Sequence, residues 1–138
     1  MRARLPAVWV VVGLAVLALT PSAQSASPTP ITVVRSFYDA VNARQLDKAM
    51  TYVADNVLFA WAGIGTYSGK AKVRELLRDT FRRGWTWKGS TFRDNGGRVT
   101  YAFQLYENGT LIHSASDGVT IVKARKIVFD GTEATAPR

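Results

Sequence analysis

The feature that most restricts the fold is a single change of hydrophobic period near residue 85. Before it, apolar residues recur every three or four positions: Val33, Val34, Phe37, Tyr38 and Val41, then Leu46, Ala49, Met50 and Val53, then Val73, Leu76, Leu77 and Phe81. Such spacing builds helices with one buried stripe. After it, Val99, Tyr101, Phe103 and Leu105 alternate with other residues, which is the period of a half-buried strand. Helices are therefore expected after a Thr32 cap to residue 41, over 45–53 and over 70–83. One strand, 57–62, falls between the second and third, and Gly63 to Gly69 reads as a loop. Four strands follow: 85–93, one centred on residues 99–105, 111–122 and 125–130. Turns at Asn95-Gly96-Gly97 and Asn108-Gly109 join them, the second carrying the residues that a type I′ hairpin turn needs. Helices gathered ahead of an antiparallel meander make an α+β fold. A twisted sheet with one apolar face must cover it, and the three helices are the available cover. Where helices and sheet splay apart, there is room for a cone-shaped pocket.

The N-terminus reads differently. Arg2 and Arg4 precede an apolar run of 13 residues, Ala7 to Leu19, and small residues follow to Ala26. That is the layout of a secretory signal peptide, and the run is short for a helix spanning about 30 Å of hydrocarbon. Cleavage is expected near Ser25, followed by a flexible lead-in over 26–30 and one domain over 31–138. An uncleaved anchor is the alternative, while a lipid anchor is excluded because no cysteine is present to acylate. Secreted, periplasmic or cell-envelope location follows.

Without cysteine there is no disulfide, so the core must hold the fold alone. The formal charge of +8 falls to +6 when Arg2 and Arg4 leave with the leader. This balance favours solubility and weak attraction to an anionic envelope surface without naming a partner. Lys70, Arg74, Arg78 and Arg82 recur every four residues and align as one helical stripe, read first as a solvated face. No nucleic-acid motif accompanies it. One histidine and no cysteine also argue against a metal site, and no cofactor is implied.

The strand Leu111-Ile-His-Ser-Ala-Ser-Asp-Gly-Val-Thr-Ile-Val122 raises the question of chemistry. Under strict alternation, one face carries Leu111, His113, Ala115, Asp117, Val119 and Ile121, which puts a carboxylate and the only histidine on the more apolar side. A carboxyl on an inward face resists ionising. It could then donate a hydrogen bond or act as a lone general acid or base. The plain alternative is an aspartate pinned by hydrogen-bond donors or wetted at a pocket mouth. His113 stands about 13 Å from Asp117 along the strand, so the two form no relay, and His113 is the weaker candidate. Phe37, Tyr38, Val41, Phe59, Trp61, Tyr101 and Phe103 converge on the interior, either as core or as the apolar wall of a ligand pocket. Trp85 and Trp87 share a face and either line the mouth or pack in a dimer contact.

The stretches VVRSFYDAVNARQLDKAMTYVADNV, YSGKAKVRELL and SDGVTIVKARKIV resemble the nuclear transport factor two-like superfamily, nearest in pattern to its SnoaL-like group, which includes polyketide cyclases and has ketosteroid isomerases as cousins. The resemblance implies a curved sheet wrapped around the first helix, an apolar pocket, and a homodimer through the outer sheet face. An isomerase-type acid on a late strand matches Asp117, by its spacing to Lys126-Ile127-Val128. The isomerase tyrosine falls on Phe37 and the base on Trp61, so two of three catalytic positions are lost. Two readings stay open because this superfold hosts many functions. One is an exported protein that binds a small, largely apolar ligand, with isomerase, cyclase or lyase-type chemistry at Asp117. The other is a non-catalytic dimerising or protein-interaction module whose pocket is filled by Phe37, Trp61 and Phe103.

Overall fold

The computed structural model describes residues 27–138; the expected leader and its cleavage point near Ser25 lie outside them. Three helices, α1 (Pro30–Asn42), α2 (Leu46–Met50) and α3 (Lys70–Arg82), accompany six strands. The strands are β1 (Val53–Trp61), β2 (Gly65–Ser68), β3 (Trp85–Asn95), β4 (Arg98–Glu107), β5 (Thr110–Lys123) and β6 (Lys126–Thr132). They form one curved, unclosed sheet in the order β2-β1-β6-β5-β4-β3. β3 to β6 are the expected meander, and only β1 and β6 run parallel. The architecture is the α+β cone expected from the change of period.

Boundaries moved where local chemistry overrode the pattern. α1 starts at Pro30, ahead of the expected Thr32 cap, because Thr29 accepts a hydrogen bond from the Thr32 N–H and Pro30 occupies the first turn. Proline is tolerated there, since that turn's N–H groups have no intrahelical partner. The second helix stops at Met50, and Val53 already belongs to β1. Gly65–Ser68, expected as loop, pairs with Leu58–Trp61 as an edge strand. Asn108 and Gly109 both take positive φ in the β4–β5 turn, as the type I′ reading requires.

The core lies between the helices and the concave face of the sheet. Phe37, Val41, Phe59, Leu77, Val99 and Leu105 are essentially solvent-free. Rings meet there mostly edge to face: Phe37–Phe59 at 5.9 Å, Tyr38–Trp87 at 5.7 Å and Trp87–Phe103 at 6.2 Å between centroids. At the open edge of the sheet, the Asn42 side chain donates to the Trp87 C=O at 2.7 Å and accepts from the Trp87 N–H at 2.9 Å. On the convex face, Ala60, Val119 and Phe129 form a second small cluster with Leu58, Ile121 and Ala136. The C-terminal turn is pinned over it by Thr135, whose hydroxyl donates to the Ala60 C=O. The basic stripe of α3 is solvated and largely paired: Lys70 lies 3.8 Å from Asp55, Arg74 2.9 Å from Asp47, and Arg82 pairs with Asp79. Among the described residues, no helix is long and apolar enough to cross a membrane.

Candidate functional site

Asp117 is not in the interior. It is exposed, and its C=O accepts from the Glu133 N–H. The cause is a bulge: Tyr101 pairs with Gly118 but Phe103 pairs with Ala115, so two steps on β4 oppose three on β5. One extra residue reverses the faces of everything after it. Val119 and Ile121 consequently lie on the convex face, while Gly118, Thr120 and Val122 turn inward.

A second irregularity replaces the lost carboxylate. Ile121 pairs with Phe129 and Val122 with Ile127, so β6 slips by one residue between Ile127 and Phe129. Ile127 faces the main core, Phe129 faces out, and Asp130 turns in. Asp130 is 1% exposed, the only buried carboxyl among the described residues. Inward side chains from three other strands meet around it. Trp61 of β1 donates its indole N–H to Oδ2 at 3.0 Å, Tyr101 of β4 donates to Oδ1 at 2.7 Å, and Thr120 of β5 approaches Oδ1 at 2.5 Å. Tyr38 of α1 completes the group, 2.9 Å from the Tyr101 hydroxyl. Gly118 makes the reach possible, because a Cβ there would sit 3.0 Å from the Tyr101 ring and from its C=O.

Burial pushes the Asp130 carboxyl above the usual carboxylate range, although its three hydrogen bonds pull the other way. Proton counting points in the same direction. Four close O···O contacts, including Tyr101–Thr120 at 2.7 Å, share only three hydroxyl protons. With Asp130 ionised, Tyr101 and Thr120 each give their single proton to Oδ1, and Tyr38 gives its own to Tyr101. Nothing then lies between the Tyr101 and Thr120 oxygens. A proton retained on the carboxyl supplies the fourth. Burial, followed by the nearby Asp130, also drives both tyrosines well above their ordinary value, so they stay neutral donors.

The remaining expected site residues are inside and touch one another. Phe37, Tyr38, Val41, Phe59, Trp61, Tyr101 and Phe103 are all buried, with Trp61 and Phe103 only 4.3 Å apart between centroids. They fill the narrow part of the cone and screen Asp130 from its mouth. His113 lies at that mouth, its ring 6.4 Å from Phe103. The β1–β2 turn meets it from the opposite side, where a Cβ on Gly63 would lie 3.7 Å from the His113 Cε1. Between them is a cavity of about 270 Å³ walled by Ile64, Tyr67, Leu76, Trp85, Leu105 and Ile112, with Asp79 and Arg83 at its rim. Nε2 of His113 is buried without a hydrogen-bond partner among the described residues. Of the two tryptophans on β3, Trp85 lines this mouth and Trp87 belongs to the core.

The sequence comparison decides the family: a SnoaL-like domain model matches residues 34–133. The chain belongs to the SnoaL-like domain family. No functionally curated protein matches it. Solved structures match its fold at low identity. An NTF2-like protein of unknown function from Cytophaga hutchinsonii superposes with a TM-score of 0.65 at 19% identity, covering 78% of this chain and 90% of that one. An LEH-like epoxide hydrolase from M. tuberculosis gives 0.62 at 20%, covering 76% and 83%. TerC, co-crystallised with polyporic acid, gives 0.61 at 18%, covering 76% and 89%. Asp130 is not legible in the sequence, because strict alternation from Ile127 assigns it to the outer face. A buried acid with a tryptophan, a tyrosine and a threonine facing it was visible only after the bulges were known.

Proposed function

We propose that this SnoaL-like domain is an exported protein that binds a compact, largely apolar molecule at the mouth of its cone, and that binding, not turnover, is its activity. The observation that carries this is the division of the interior. The narrow end is filled by rings around a hydrogen-bonded acid, while the wide end keeps a cavity lined by apolar side chains together with the polar groups of Tyr67, Asp79, Arg83 and His113, whose Nε2 has no hydrogen-bond partner among the described residues. At about 270 Å³, the cavity is slightly smaller than most ligand pockets, which run from roughly 300 to 1,000 Å³. That size favours a ligand of one or two rings. His113 is the polar group that would orient it. Asp130 supports the wall behind, its carboxyl oxygens occupied by Trp61, Tyr101 and Thr120. The co-crystallisation of TerC, which shares this fold, with polyporic acid supports small-molecule binding as the reading.

Export rests on the N-terminal layout, and N-terminal sequencing of secreted material tests it, with a start near Ala26 expected. Dimerisation through the outer sheet face would use the surface outside the part covered by the C-terminal turn, and light scattering measures it. The binding reading is tested by thermal shift against a panel of small apolar ring compounds, since a ligand that binds only the folded state raises Tm. A shift is expected that disappears in Ile64→Trp, which fills the mouth from its half-buried wall, and weakens in His113→Ala. Shifts that survive both substitutions would overturn the assignment, as would turnover abolished by Asp130→Asn.

A further inference from the structure

A second concavity lies outside the cone, along the seam between α1 and β3. It encloses about 550 Å³, and Tyr38, Trp87 and Phe92 form its aromatic side. Its shape comes from an irregularity in β3. Ser90 pairs with Ala102 but Arg93 with Thr100, and Thr91 takes a φ of 57° between them. The slip brings Phe92 onto the core side, where its ring lies 5.2 Å from that of Tyr101. Gly89 leaves room for it, since a Cβ there would come within 2.5 Å of the Phe92 Cζ. Trp87 turns its N–H and C=O to the open sheet edge, and Gly89, two residues on, shares that orientation.

The charged side belongs to α1. Arg35 and Asp39, one turn apart, both line the groove, both are exposed, and neither is in an ion pair among the described residues. The Arg35 guanidinium lies 4.9 Å over the Phe92 ring, which holds it beside the aromatic wall. Lys88, also on the rim, directs its ammonium over Tyr106, 4.7 Å from that ring's centroid. The groove thus presents one cation and one anion on adjacent turns, facing a wall of rings.

We infer that this groove binds a ring-bearing zwitterion of the aromatic amino acid type, with the carboxylate on Arg35, the ammonium on Asp39 and the ring against Trp87 and Phe92. The charge pair selects for both ends of such a ligand, because removing either leaves one exposed charge unmatched. The site is separate from the cone mouth and shares no lining residue with it.

The test uses the purified protein and three probes: L-phenylalanine, 3-phenylpropionate, which lacks the ammonium, and phenethylamine, which lacks the carboxylate. Binding is followed by nitrogen-edited NMR. The Trp87 indole N–H, which has no acceptor among the described residues, reports on the groove. L-Phenylalanine is expected to shift Trp87 and Gly89 and to bind about two- to fivefold more tightly than either truncated probe, the size that the one missing exposed charge contact supplies. Arg35→Ala should erase its advantage over phenethylamine, and Asp39→Asn its advantage over phenylpropionate. Equal affinities for the three probes, no binding of L-phenylalanine, or shifts confined to the His113 mouth would each overturn the inference. His113→Ala should leave these affinities unchanged, so failure of the mouth reading and of this one are distinguishable.

Discussion

Asp130→Asn separates the effects of burying a carboxyl by their dependence on pH. In the folded protein, burial raises this group above its unfolded value of about 3.9. A raised folded pKa means that the native state holds the proton more tightly. That contribution to stability is fully present below about pH 3.9 and is lost as pH rises through the folded value. Over that window, each pH unit removes up to about 1.4 kcal/mol. Asparagine cannot ionise, so the variant lacks this loss. It carries a different cost that does not vary with pH. Trp61 donates to Oδ2, while on the Oδ1 side the retained carboxyl proton makes four protons for the four contacts among Asp130, Tyr38, Tyr101 and Thr120. An amide NH₂ on either side leaves one donor unmatched, at about 1–3 kcal/mol. The variant should therefore be less stable than the wild type near pH 4, with the gap closing as pH rises and then levelling. Urea unfolding followed by tryptophan fluorescence from about pH 4 to about pH 8 measures this, provided that m stays constant across the series. Surface carboxylates common to both proteins cancel in the difference. A gap that stays constant with pH, or that widens as pH rises, would refute the reading of Asp130 as a carboxyl holding its proton in the core.

Two further substitutions probe the arrangement. Asp117→Asn should change stability by no more than about 0.5 kcal/mol, the ordinary range for an exposed position, and denaturant unfolding at neutral pH checks it. Phe37→Ala should cost about 3–5 kcal/mol, because this fully buried ring contacts Tyr38, Phe59 and Trp87 and its removal leaves a cavity; a smaller loss with unchanged m would mean that the neighbouring rings collapse into the space.

Much of the fold was legible because it rests on periodicity. Val57, Phe59 and Trp61 share the inner face of β1, and Val99, Tyr101, Phe103 and Leu105 share that of β4, as their alternation requires. The helix faces of α1 and α3 followed from the same argument. Legibility ended where strands carry an extra residue. Ser116-Asp117 in β5 and Ile127 to Phe129 in β6 look like regular alternation in one dimension. Their bulges depend on how neighbouring strands fit around the cone, which local sequence does not encode. The aromatic residues were thus correctly assigned to the interior, while the acid was assigned to the wrong strand. Pairing Asp130 with Trp61 required knowing that β1 and β6 are neighbours, a contact spanning 69 residues.

The Asn42 amide occupies the position that another chain's backbone would take beside Trp87. An extended segment approaching that margin therefore finds both hydrogen-bonding groups of the residue already engaged, and the Trp85 C=O is taken by Arg44 in the same way. Sheet-to-sheet growth from this side is discouraged by two side chains of the helix and the turn after it, in a protein that has no disulfide to rely on. Self-association by strand addition would have to begin elsewhere, on β3 beyond Trp87 or at the four-residue margin formed by β2.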